Sequence, residues 1–363
     1  MKVSVTKLFI TVILFMTAST SYGQSTTSVK GTMVTENLES SILKENRIGI
    51  DPRRKVKVYL PPGYGSSKKS YPVVYYLHSA FSNPDKLFEN ERVIELVERA
   101  FTQGIVREFI FVAADYTSPT IGSIYENSPV SGRWLDFTIQ ELVPFIDRRF
   151  RTLATRASRA VTGDFFGGRG ALKLAMTHAE VFSVVYALHP VGTGTGQLPW
   201  PYIDIDWKKA HEAKSFDDIR KADGRTQIFV AFSQAYLPNL NRPPLFCDFY
   251  TEVEEGSLKY LPDRILKLKK GFLLDETLNE CADNLRTMRG IAFDWGRFDN
   301  TYAHVHSNQQ FSRKLADLGI DHEAEEYSGN VWDHTWTDHG RFYSRVLPFL
   351  DRHLLFESRT KIK

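Results

Sequence analysis

Two hydrophobic periods exchange along this chain, and that exchange restricts its fold more than any other feature. Tyr71–Leu77, Phe109–Ala114, Arg159–Thr162, Phe182–Leu188, Gln227–Phe232 and Ile291–Asp294 are short apolar runs, as expected of strands covered on both faces. Lys55–Leu60 alternates like an edge strand and ends at the turn Pro61-Pro62-Gly63, while Glu323–Tyr327 is a more polar strand. Between them, Glu91–Phe101 sets Val93, Ile94, Val97 and Phe101 near one helical face, and helical patterns follow at Trp134–Phe150 and Gly168–Met176. Ser307 with Gln310 makes a capping box that predicts a helix running to Leu318. Strands alternating with helices predict an α/β fold, a mostly parallel sheet with helices on both faces. Residues 233–288 break the rhythm with Pro238, Pro243 and Pro244 and then a charged helical stretch, which reads as an insertion. There are no internal repeats.

The proportions exclude a disordered or fibrous chain: 42% of the 363 residues are hydrophobic and 25% charged. Residues 1–23 read as a secretory signal, with Lys2 and Lys7 before the apolar run Leu8–Met16 and small residues up to Gly23. Those two lysines account for most of the net charge of +3, so neither a nucleic-acid footprint nor a basic membrane patch is expected. The predicted product is periplasmic or secreted, with no stable membrane anchor. A polar leader (residues 24–50) then precedes one domain over residues 51–356. Cys247 and Cys281 are the only cysteines; a local disulfide and two separate thiols both fit. Neither a Gly-rich phosphate loop nor a zinc-spaced Cys/His cluster is present, so no cofactor is expected.

In such a sheet, function collects in the loops beyond the carboxyl ends of the strands. Here these are residues 78–84, 115–134, 163–169, 189–200, 295–306 and 328–340, which hold His78, His189, His304, His306 and His334.

With these elements placed, the chain resembles the esterase D and feruloyl or acetyl-xylan esterase group of α/β-hydrolases. The resemblance rests on Val58-Tyr59-Leu60-Pro61-Pro62-Gly63-Tyr64, Tyr71-Pro72-Val73-Val74-Tyr75-Tyr76-Leu77-His78, Asn127 to Trp134, Glu141 to Asp147 and Gly170 to Ala175. It covers roughly residues 50–190 and 290–350 and implies an α/β-hydrolase fold. The family places a serine in Gly-x-Ser-x-Gly on a sharp strand-to-helix turn. Here that place reads Gly163-Asp164-Phe165-Phe166-Gly167-Gly168, and the family's oxyanion His-Gly reads His78-Ser79. The resemblance further implies Asp299 as the acid of the triad and His334 as its histidine.

Four readings of a site without its serine follow. A His334–Asp299 dyad needs no nucleophile to eliminate water from a saccharide, with His334 as general acid or base. Phe165 would then form the sugar-stacking floor, and His189, His304 or Tyr125 would supply the complementary acid. A catalytically inactive esterase-like binding protein, or a polysaccharide esterase with an unusual mechanism, is the alternative. Ser79, or less suitably Ser233, could replace the serine. Metal ligation by His304, His306, Asp299, His334 and His339 is the weakest reading. Arg133 and Arg169 flank the expected pocket and could clamp an acidic saccharide, unless Asp136 or Asp164 already pairs with them. Trp134 and Trp295 could stack on sugar faces. The expected partner is an oligosaccharide or polysaccharide-derived substrate.

Overall fold

The computed structural model describes residues 30–90, 92–195, 205–331 and 336–357. The predicted signal segment and His334 therefore lie outside the described residues. The apolar runs become strands of one eight-stranded sheet. In chain order the strands are β1 (Thr32–Glu39), β2 (Arg53–Leu60), β3 (Val73–Leu77), β4 (Ile110–Ala114), β5 (Asn127–Ser128), β6 (Gly132–Arg133), β7 (Arg159–Asp164), β8 (Val184–Leu188), β9 (Thr251–Glu254), β10 (Ser257–Tyr260), β11 (Gly290–Gly296) and β12 (Glu323–Tyr327). The large sheet has the order β1-β2-β4-β3-β7-β8-β11-β12, and β5–β6 and β9–β10 are separate two-stranded ribbons. β1 and β2 pair antiparallel, as do β2 and β4, and every later pair in the large sheet is parallel. This is the α/β architecture that the alternation predicts, in the α/β-hydrolase form that the resemblance implies.

The helices are α1 (Val93–Thr102), α2 (Trp134–Asp136), α3 (Val143–Arg149), α4 (Phe166–Thr177), α5 (Trp207–Glu212), α6 (Phe216–Arg220), α7 (Gly224–Tyr236), α8 (Pro262–Phe272), α9 (Leu278–Arg286), α10 (Tyr302–Asp317) and α11 (Leu347–His353). One face of the sheet packs against α2, α3, α4, α9 and α10, the other against α1 and α11. A third apolar cluster, built on Phe166, Phe229, Phe232, Tyr250 and Phe272, joins α7 and α8 to the first residues of α4.

Several expectations change. Gln227–Phe232 is helical, part of α7: Asp223 caps the helix by accepting from Arg225 and Thr226 N–H, and the apolar run packs in the third cluster. The capping box at Ser307 lies inside α10, which starts five residues earlier at Tyr302; the Ser307 hydroxyl donates instead to the His304 carbonyl. Lys55–Leu60 is not an edge, because β1 covers it. β1 arises within residues 24–50, expected to be a polar leader, where Leu43, Ile48 and Ile50 are also buried. Its alternation is blurred because Glu36 stands between Val34 and Leu38 on the covered face and Met33 lies beside Thr35, Asn37 and Glu39 on the exposed one. The departure from the strand–helix rhythm spans everything between β8 and β11, with α5 to α9 and the β9–β10 hairpin. Among the described residues no helix is long and apolar enough to cross a membrane. Cys247 and Cys281 are separate thiols.

The junction of β7 and α4 sets the local geometry of the site. A Cβ on Gly167 would lie 1.9 Å from the Leu77 carbonyl oxygen, and one on Gly163 would lie 2.5 Å from the same oxygen. Only glycine lets α4 start so close to β3. Gly167→Ala is therefore expected to destabilise the fold by more than about 3 kcal/mol, because backbone and not a flexible side chain must move. Denaturant unfolding of the purified variant measures this.

Candidate functional site

Phe165 occupies the turn between β7 and α4 with φ +54° and ψ −109°. A bulky L-residue pays about 1–3 kcal/mol for such a conformation, and the surrounding backbone holds it. Phe165 N–H donates to the Leu188 carbonyl at 2.9 Å, and Arg169 N–H donates back to the Phe165 carbonyl at 3.0 Å. The half-buried ring meets Phe166 edge-to-face at 5.4 Å and the His304 imidazole at 5.5 Å. Phe166 points inward, against Phe232 and Phe272.

Asp299, in the loop after β11, is engaged by its own neighbourhood. Its Oδ1 accepts Thr301 N–H at 2.7 Å and its Oδ2 lies 3.0 Å from His304 Nδ1. His304, in the first turn of α10, is thus the imidazole that the described residues bring to Asp299. The side chains are 18% and 7% exposed. The sequence singled out both residues but assigned the pairing to His334. The spacing Asp299-x-Thr301-x-x-His304 across a loop-to-helix junction was the available signal, since an aspartate two residues before the N-cap can accept the Thr301 N–H and still reach the first turn of the helix.

The other predicted residues are mostly committed to structure. His78 is buried; its Nδ1 bonds the Ser79 carbonyl at 2.9 Å and its Nε2 accepts Tyr116 N–H at 3.0 Å. Burial holds its pKa below the ordinary histidine value. Tyr125 is buried and donates to the His78 carbonyl at 2.5 Å, and burial pushes its phenol well above the usual range. It fixes the loop and is no proton donor to substrate. Arg169, fully buried, donates to Glu126, to the carbonyls of Ile124, Gly271 and Phe272, and so ties α4 to α8. Arg133 pairs with Asp136 rather than facing the turn, and lines a surface groove of about 540 Å³ together with Lys44, Arg47 and Leu240. Trp134 is in the core with its indole N–H on the Ser131 carbonyl, and Trp295 is buried with its N–H toward Glu326. Neither presents a ring face to a ligand. Ser79 is buried in the loop after β3, and both nitrogens of the neighbouring His78 are occupied. Ser233 is buried within α7, and His339 is exposed. Among the described residues no group of three His, Cys, Asp or Glu could hold a metal ion.

A buried network that sequence reasoning missed lies under the loops. Asp294, fully buried on β11, accepts from Tyr186 at 2.9 Å and from Arg341 Nε at 2.8 Å. Arg341 also donates to Glu325 at 2.6 Å and lies over the Tyr327 ring. Tyr327 in turn sits 2.9 Å from the imidazole of His189, whose pKa burial lowers and whose backbone has a positive φ of 43°. Of these residues the sequence singled out His189 alone, and the other signal was the lone acid in the apolar run Ile291–Trp295. The network joins β8, β11 and β12 to the segment leading to α11.

Residues 49–240 match the family model described as "Putative esterase". The chain belongs to this esterase family. An esterase of Mycobacterium tuberculosis (strain CDC 1551 / Oshkosh) is 33% identical over 135 residues, which are 35% of this chain and 27% of that one. An endo-1,4-beta-xylanase/feruloyl esterase of Xylanibacter ruminicola is 28% identical over 134 residues, 34% of this chain and 18% of that one. The chain thus spans about a quarter or less of these relatives. Among solved structures, a ferulic acid esterase superposes with a TM-score of 0.58 at 20% identity, covering 90% of this chain and all of that one. An S-formylglutathione hydrolase of Agrobacterium tumefaciens gives 0.55 at 13% identity, covering 91% and 98%. At such identities the superpositions establish the fold.

Arg341→Met leaves Asp294 buried without its counter-charge, and a loss of about 3–5 kcal/mol in unfolding free energy is expected. The acid limb should change too. Hydrogen bonding to Arg341 holds Glu325 down at about 2, against an ordinary 4.5. A depressed folded-state pKa gives stability that is complete above 4.5 and disappears as the pH falls toward 2. Urea titrations of both proteins from pH 6 to pH 2 should show a shallower acid limb in the variant.

Proposed function

We propose that this chain is an exported, carbohydrate-ester-directed member of the esterase family in which the acyl-enzyme route is closed. The observation that carries the reading is Phe165, held with φ +54° at the β7–α4 turn, where the family's pattern requires a serine. The turn and its glycines persist, but a benzyl side chain has no atom that can attack a carbonyl carbon. The ligand class is supported by relatives whose names pair xylanase with feruloyl esterase. Export is supported by the lysines and apolar run of residues 1–23.

Elimination from a saccharide, the main expectation from the sequence, has less support. It needs an acid opposite the base, and two of its candidates, Tyr125 and His189, are buried in hydrogen bonds that shape the loops.

A serine-reactive fluorophosphonate should leave the protein unlabelled and should label Phe165→Ser, read by intact mass. Acetylated or feruloylated xylo-oligosaccharides should bind the unmodified protein with a Kd below about 1 mM by calorimetry. Labelling of the unmodified protein at another serine would overturn the closed route. Absence of binding across both oligosaccharide types would overturn the ligand class.

A further inference from the structure

We propose that His304 and Asp299 form a general-base dyad that hydrolyses a carboxylic ester by direct attack of water, an inference that rests on the closed acyl-enzyme route at Phe165. Three observations converge on it. Asp299 Oδ2 accepts from His304 Nδ1 at 3.0 Å, which fixes the tautomer with the lone pair on Nε2. Nε2 has no hydrogen-bond partner among the described residues, and the side chain is 18% exposed, so this nitrogen is the one left to meet water. The imidazole also stands edge-to-face with Phe165 at 5.5 Å, beside the turn from which a nucleophile would act.

The dyad is braced locally. Asp299 Oδ1 accepts Thr301 N–H at 2.7 Å, and His304 N–H donates to the Thr301 carbonyl at 2.8 Å. Base and orienting carboxylate therefore belong to one hydrogen-bonded loop-to-helix junction. The ester group would lie at the start of α4, where first-turn amides lack intrahelical acceptors and favour negative charge.

In the reaction, Nε2 takes a proton from water as the water oxygen bonds the ester carbonyl carbon, giving a tetrahedral oxyanion and an imidazolium stabilised by Asp299. The intermediate collapses by breaking the carbon–alkoxy bond, and the imidazolium returns its proton to the departing alkoxide. The products are a carboxylic acid, which ionises, and an alcohol. No covalent enzyme intermediate forms, and Phe165 acts as an apolar wall.

Hydrolysis of acetylated xylo-oligosaccharide and of 4-nitrophenyl acetate tests this. The unmodified protein should turn over without a burst and without an acetylated protein in the mass spectrum. His304→Gln and Asp299→Asn should each lower kcat/KM, His304→Gln by about 100-fold or more, while the exposed His339→Gln leaves it unchanged. Binding of the oligosaccharide by calorimetry should persist in His304→Gln, which separates loss of chemistry from loss of a merely structural contact. In the unmodified protein, diethyl pyrocarbonate should modify His304 and abolish the rate in parallel, so the test does not depend on the variants folding. Binding without hydrolysis of either ester would overturn the dyad and leave the reading of the preceding subsection standing. An acetylated protein, or a rate lost with His334→Gln but kept with His304→Gln, would also overturn it. Failure to bind would instead strike the ligand class.

Discussion

The approach of the start of α4 to β3 governs this structure. Gly163 and Gly167 both face the Leu77 carbonyl oxygen at distances that no Cβ tolerates. With those two side chains absent, β7 can run straight into a helix, and the residue between them is forced into a left-handed conformation at the sheet's carboxyl edge. The backbone geometry belongs to the glycines and the carbonyl, not to Phe165. The turn therefore depends on its two glycines and not on any particular side chain at its tip.

Around that turn, polar groups are spent on holding loops. His78, Tyr125, Arg169 and His189 look like chemistry in a linear reading because they fall in loops at the carboxyl ends of strands. In three dimensions each is buried with its hydrogen bonds made. A buried polar group left unpaired costs more than a bond gained, so loops this deep need internal donors and acceptors, and residues of catalytic type serve as struts. Asp294 and Arg341 play that part between β11 and the chain leading to α11. His304 differs in that its side chain is partly exposed while Asp299 holds its Nδ1.

The strand–helix alternation was legible because period is a local property: β12 and the ends of most central strands fall where their apolar runs do. Gln227–Phe232 was misread because a helix buried on most sides carries a continuous apolar run like a covered strand, and only packing separates them. β1 was missed for the opposite reason, since Glu36 on its covered face and Met33 on its exposed face blur a short alternation. Arg133 and Trp134 were placed at a pocket by loop position, whereas side-chain direction, which linear order does not carry, sends one to Asp136 and the other into the core.

By itself the sequence determined the α/β sheet, the glycines of the β7–α4 turn and the aromatic residue at its tip, because each depends on residue type and short spacing. Only the tertiary structure decided that His304 reaches Asp299 and which of the described histidines are struts. Those outcomes turn on distances between separate elements and on exposure of a few atoms. They are fixed when the sheet brings β3, β7, β8 and β11 side by side, and no window of the chain contains them.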